Sequence, residues 1–427
     1  MVCMDADIRR RIREVKDIDE VIRENQEELE ESKESKESKQ PKKKSRISFT
    51  KLAALLLATA ALVLVLAEVL GITSNLETFF NPPMHFVETA YITHEVGAAA
   101  QIATSHSGFF LMTRDAVRFH NTDGTEIFRH GHTITNPITF SRGSHVAIMA
   151  QGGRVFHVYN TQNWMYSIAT DNPIVRFALS AQGLVAVMTD RGNKVFDLAV
   201  HNDAGVVIHE GVVAGGNITP IAMDISPDGR VLAISYLDIN DAQMNSFVSF
   251  FSLDGSHVGA EDAFAQSTQN PNQIIGHIRF LENGRLVAVS DTRVFILNAT
   301  ADTIWETELT NRFTHLAFSG NWFAIAYGDI MLNRDGYAPG TVVGYDADGV
   351  RVFQHTVDGG AVHNLQAMGD YIVIGGSGHF AGLSRRGDVV WEHTIGGNIG
   401  GVGLMGGANE LVVTTPTQTS ILRRVRQ

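Results

Sequence analysis

The side chains best equipped for chemistry are the 17 histidines, and one pair of them stands close together in the chain. In a strand-to-strand connection, His130-Gly-His132 could offer two imidazoles to one metal ion. No third ligand or carboxylate lies beside them, so polar loop histidines are the plainer expectation. His355, His363 and His393 recur at strands or turns and read as structural. Asp238-Ile-Asn-Asp241 and Asn333-Arg-Asp-Gly336 look like fragments of a calcium loop, without the spacing of a complete one. A serine nucleophile elbow, a phosphate-binding Walker loop and a His-Glu-x-x-His helix motif are all missing from the sequence. Gly375-Gly-Ser-Gly378 and Gly396-Gly-Asn-Ile-Gly-Gly401 are glycine-rich, but neither opens a helix, and glycine in such places lets backbones pack closely. No catalytic, cofactor-binding or metal-binding residue is assigned, and no cofactor is expected.

Composition narrows the classes further. A single cysteine, Cys3, excludes a disulfide framework and a cysteine-rich zinc site. The 44% hydrophobic content, with 40 Gly against 10 Pro, excludes a wholly disordered or collagen-like chain. A formal net charge of −12 argues against a nucleic-acid partner. The charge is unevenly distributed. Residues 1–51 carry 14 Lys+Arg and 13 Asp+Glu, which leaves 20 basic and 33 acidic residues for 52–427. Lys194 is the only lysine after Lys51, and every histidine lies at His85 or beyond. Two compartments with different solution demands would produce that division.

The elements that carry these residues come in four stretches. Residues 1–48 form a charged segment. Ile8, Ile12, Val15, Ile22 and Leu29 make one sparse helical stripe within it, suited to a short amphipathic helix or to a marginal solvated one. The repeated Glu-Ser-Lys of 31–39 is a linker with nothing to bury. Residues 49–72 read as one transmembrane helix. Residues 52–67 are free of charge, and about 20 apolar residues cross the hydrocarbon core. Lys42, Lys43, Lys44, Arg46 and Lys51 precede the charge-free run, and Glu68 and Glu77 follow it, which keeps the N-terminus cytoplasmic and exports the rest. A signal peptide cleaved after Val65-Leu66-Ala67 would export the same residues. A linker, 73–85, leads to the large C-terminal part, 86–427.

That part repeats. A four-residue apolar run begins at Phe109, Val146, Val185, Leu232, Val287, Phe323, Ile372 and Leu411, each time just after a turn. Intervals of 36 to 55 residues between the eight copies match the roughly 40 to 45 residues of a four-stranded propeller blade. Turns such as Ser226-Pro-Asp-Gly229 and Asp348-Gly349 flank the copies and supply the left-handed positions of tight hairpins. The last copy runs out after its third strand, and Phe86-Val-Glu-Thr-Ala-Tyr91 is a spare strand before the first. An all-β, eight-bladed β-propeller closed by pairing its two ends is expected, with seven blades and one irregular module as the alternative.

Ser226-Pro-Asp-Gly-Arg-Val-Leu-Ala233, Thr303-Ile-Trp-Glu306 and Gly387-Asp-Val-Val-Trp-Glu392 resemble the blades of extracytoplasmic PQQ-like and WD-repeat propellers. Together with the preceding apolar span, the whole resembles a bacterial family of single-span, membrane-anchored propellers of unknown function. The resemblance implies fold and anchoring. The full Gly-His…Trp-Asp signature and the repeated tryptophan-docking pattern of quinoprotein dehydrogenases are missing, so it implies no activity.

Insertions point to a binding face. Strands alternate in direction within a blade, so second-to-third and fourth-to-first connections emerge together on one face. Three long segments, 237–245, 259–273 and 328–340, are expected there, around blades four to six. Asp238, Asn240, Asp241, Glu261, Asp262, Arg334, Asp335 and Tyr337 are their candidate binding residues. The expected function is a membrane-tethered scaffold in the cell envelope that binds a protein, peptide or glycan. The alternatives are a quinone- or metal-dependent lyase or hydrolase working in the propeller channel, and a sensor that relays ligand binding through the span.

Overall fold

The computed structural model describes residues 84–94, 100–134, 137–214, 216–240, 243–254, 264–267, 269–330, 337–357, 361–376, 378–396 and 398–426. The chain divides into two units, 1–82 and 83–427, and everything described belongs to the second. The expected amphipathic helix, linker and transmembrane helix therefore lie outside the described residues. Among the described residues, no helix is long and apolar enough to cross a membrane.

The described part is all β, arranged as eight sheets. Each is an antiparallel blade whose strands follow in chain order from the channel outward. The innermost strands are Gln101–Ser105, Pro137–Arg142, Ile174–Leu179, Ile218–Ile225, Ile275–Phe280, Asn311–Ser319, Asn364–Met368 and Gly401–Met405. Blade eight departs from strict chain order. Its outermost strand is Met84–Thr93, paired antiparallel with Gln418–Arg426. The first and last strands thus close the ring, and eight blades replace the seven-bladed alternative.

All eight copies of the apolar run fall on second strands, and the reason is visible in the packing. Side chains alternate between the two faces of a strand, and each face of a blade meets a different neighbour. Phe109 and Leu111 pack against Met405 and Val412 of blade eight. Phe110 and Met112 pack against Val146 and Ile148 of blade two. A strand covered on both faces must be apolar at every position, so it reads as a continuous run and not as an alternation. The core is accordingly a set of layers between consecutive blades, closing with the layer between blades eight and one.

Tryptophans fasten some of these layers. Trp391, on the outer strand of blade seven, donates through Nε1 to the carbonyl of Ala408 in blade eight at 2.8 Å. Trp322 of blade six donates to the carbonyl of Gly369 in blade seven at 3.0 Å. Near the axis, Gln366 of blade seven donates to Thr104 Oγ1 of blade one and accepts the Leu404 N–H of blade eight at 2.6 Å.

Candidate functional site

The three long segments differ in construction. The first is a hairpin and not a loop: Val231–Asn240 and Gln243–Ser252 stay paired out to Asn240↔Gln243. Its side is braced by Asn270–Pro271, which pairs with Ser246 and Asn245. The buried Ser246 donates from Oγ to the Gln273 carbonyl at 2.7 Å. Asp238 lies on this hairpin opposite Ile218 and Asn245, and is 8% exposed. Asn240 ends the strand, and Asp241 lies outside the described residues.

The second segment is divided by a strand that sequence reasoning did not foresee. Phe264–Gln266 is the fourth strand of blade four. Its three residues are too short to carry a periodic signal. Residues 253–263 therefore join the third strand to the fourth, and not the fourth to the next first. Glu261 and Asp262 lie outside the described residues.

The third segment joins second and third strands of blade six, as expected. Arg334 and Asp335 lie outside the described residues, while Tyr337 anchors the return. The fully buried Asn311 accepts the Tyr337 N–H on Oδ1 at 3.0 Å and donates from Nδ2 to the Tyr337 carbonyl at 2.7 Å. The Tyr337 ring lies 4.9 Å from that of Tyr327. This clasp depends on a single asparagine, which carries no pattern in the sequence.

His130 is not in a loop. It lies on the outer strand of blade one, Glu126–Gly131, stacked on Trp164 at 4.9 Å with its Nδ1 3.1 Å from the Tyr159 hydroxyl. The ring of His157 lies 5.9 Å from His130 and 6.4 Å from His132. Burial, then the neighbouring His130 and His132, lowers the His157 pKa to about 4. His132 Nδ1 accepts the Ile134 N–H at 3.2 Å. The neutral ring then carries its proton on Nε2, which removes the lone pair a metal would need there. Among the described residues, no group of three or more His, Cys, Asp or Glu is arranged to hold a metal ion.

The two glycine-rich stretches meet around one cavity of about 610 Å³ between blades seven and eight, lined also by Asn364 and Phe380.

Sequence reasoning named the channel but none of the charged residues that line it. Five charged residues sit on innermost strands: Arg142, Arg176, Asp224, Arg279 and Arg312. Asp224 accepts the Phe280 N–H on Oδ2 at 2.7 Å and faces Arg142 Nη1 at 3.5 Å and Arg279 Nη1 at 3.9 Å. Arg142 also donates from Nη2 to the Phe280 carbonyl at 2.9 Å, so a side chain of blade two reaches a backbone atom of blade five. Below this strut, toward the turns joining first and second strands, lies a cavity of about 390 Å³. Above it lies one of about 490 Å³, which reaches Gln151 and Gly152 on the face of the long connections. Arg279 lines both cavities.

The arginines are under-provided with partners. Nε of Arg176 and Nε of Arg279 are buried without a hydrogen-bond partner. An unmet buried donor costs about 1–3 kcal/mol. Arg176 Nη1 donates to the carbonyl of its own neighbour Val175 at 2.6 Å. Burial lowers the Arg279 pKa to about 10 despite the opposing pull of Asp224, and burial lowers that of Arg176. Charge on an innermost strand was the available signal, legible once those strands are known to line a channel.

Eight antiparallel blades, seven of four strands and blade four with a fifth short one, around a charged channel define a β-propeller. By sequence, the chain belongs to a family of unknown function, DUF5711, whose profile matches residues 86–423. Among solved structures it is similar to the Dos1 propeller, at 13% identity and TM-score 0.51, covering 79% of this chain and 95% of that one. It is also similar to BamB from Moraxella catarrhalis, at 13% identity and TM-score 0.48, covering 79% and 100%. Hsv2 from Kluyveromyces lactis follows, at 11% identity and TM-score 0.45, covering 70% and 100%. No curated protein matches the chain. At such identities the likeness to the Dos1 propeller speaks for the fold alone.

Proposed function

We propose that this chain is a membrane-tethered, extracytoplasmic scaffold that captures an envelope protein or peptide through the face bearing the blade-four hairpin. The observation that carries the reading is the end of that hairpin. Ile239 and Met244 are directly paired across it and are 49% and 41% exposed. A braced β-ribbon that holds two apolar side chains in solvent costs the free protein hydration free energy. Their burial under a partner recovers it, at about 25 cal/mol per Å² of apolar surface. Rigid presentation also limits the ordering entropy of binding. An apolar pair favours a protein or peptide over a glycan. Asp238, Asn240 and Asp241 on or beside the hairpin, with Arg334, Asp335 and Tyr337 of the blade-six connection, are the further residues assigned to the face.

The tether rests on the charge-free run 52–67 and the basic cluster before it, which orient the N-terminus to the cytoplasm. The test is photo-cross-linking in the native cell from a probe placed at Asn245. Adducts to a defined envelope protein are expected, and they should disappear when Ile239→Asp and Met244→Asp are combined. Unchanged capture by the folded double variant removes this face from the function.

A further inference from the structure

We propose that the upper channel cavity is a binding site for a small oxyanion-bearing ligand, a carboxylate or phosphate, held by Arg176 of blade three and Arg279 of blade five. This site is separate from the hairpin face and does not depend on it. Its walls carry two arginines and one carboxylate, Asp224. That carboxylate is already engaged by Arg142 and by the Phe280 N–H. Arg176 has no carboxylate within ion-pair distance among the described residues, and both arginines leave Nε unmet. A guanidinium offers Nε and Nη as a fork that matches the two oxygens of a carboxylate or phosphate. Ser141 and Gln151 on the same walls supply neutral donors.

The contrast with the rest of the molecule strengthens the assignment. Residues 52–427 carry 20 basic against 33 acidic side chains. A cationic pocket in an acidic protein, enclosed by low-dielectric walls, focuses field lines on its interior and concentrates anions there. The volume of about 490 Å³ accommodates a small-molecule anion. Gln151 and Gly152 carry the cavity to the face of the long connections, which gives the ligand an entrance.

The full-length chain is titrated by calorimetry with inorganic phosphate, pyrophosphate, succinate and citrate at neutral pH, and its thermal midpoint is followed with each. Saturable binding of at least one anion is expected, weakening as salt rises, together with a raised midpoint. Arg176→Gln should weaken that binding at least tenfold. Without anion it should unfold no lower than the parent, because it removes a half-buried cation that has no carboxylate within ion-pair distance among the described residues. Arg279→Gln tests the second fork but also disturbs the contact with Asp224, so Arg176→Gln is the deciding variant. Absence of binding for all four anions overturns the site, as does equal affinity in Arg176→Gln. A midpoint lowered in Arg176→Gln with anion affinity retained would make Arg176 a structural residue and also overturn it.

Discussion

Arg142 and Asp224 meet inside the propeller with Nη1 3.5 Å from Oδ2, though they belong to blades two and four. Their side chains are 12% and 3% exposed, so the pair is shielded from bulk water. Asp224 also receives the Phe280 N–H, and Arg142 donates to the Phe280 carbonyl. Three blades are thereby tied together across the axis.

Removing that carboxylate should be costly. Asp224→Asn keeps an acceptor for the Phe280 N–H but leaves Arg142 and Arg279 without their shared counter-charge. Loss of one partner of a buried pair costs about 3 kcal/mol or more. Chemical unfolding of the variant should show that loss, and an unchanged midpoint would mean that channel water screens the arginines.

The ring seam depends on strand Met84–Thr93. Deleting it leaves Gln418–Arg426 as an open edge with unpaired backbone groups, the usual template for strand-to-strand aggregation. Size-exclusion chromatography should show soluble oligomers or aggregate in place of the parent species. A well-behaved parent-sized species would show that blade eight holds with three strands.

Gly382 makes room for an aromatic ring. A Cβ built there would lie 2.1 Å from Trp391 Cε2, so Gly382→Ala must push the indole aside and strain its bond to the Ala408 carbonyl. Overpacking of this kind costs about 1–3 kcal/mol. A lower unfolding midpoint with a red-shifted tryptophan emission is the expected pair of readings.

Acid should loosen the layer between blades one and two. The His157 pKa is lowered to about 4, by burial first and by His130 and His132 next. An unfolded histidine titrates near 6.5, so between about 6.5 and 4 the unfolded chain binds a proton that the folded one refuses. Stability therefore falls as pH drops through that window and is unaffected by this group above it. His157→Gln should flatten the slope of unfolding free energy against pH there, and an unaltered slope would assign the acid sensitivity elsewhere.

How much of this was legible in the chain differs from element to element. The eight second strands could be read directly, since burial on both faces forces apolar runs such as Val287-Ala-Val-Ser290. The closing strand could be read from arithmetic, because a fourth strand was missing at one end and spare at the other. The three-residue strand Phe264–Gln266 could not, being too short for any period, and without it the 259–273 stretch read as one connection from a fourth strand to the next first. The 237–245 stretch was legible as an insertion but not as a paired ribbon, because Asp238, Asn240 and Asp241 mask its strand character.

Sequence alone determined the repeat and pointed to the pairing of the two ends, because these follow from hydrophobic periodicity, which is local, while eight blades in place of seven was decided by the structure. Only the tertiary structure decided which charges share the channel. Arg142 and Phe280 are 138 residues apart, and their contact exists only because ring closure brings innermost strands from separate blades around one axis. A long-range meeting of this kind leaves no local pattern, since each arginine alone is compatible with a solvent-facing position on its own strand.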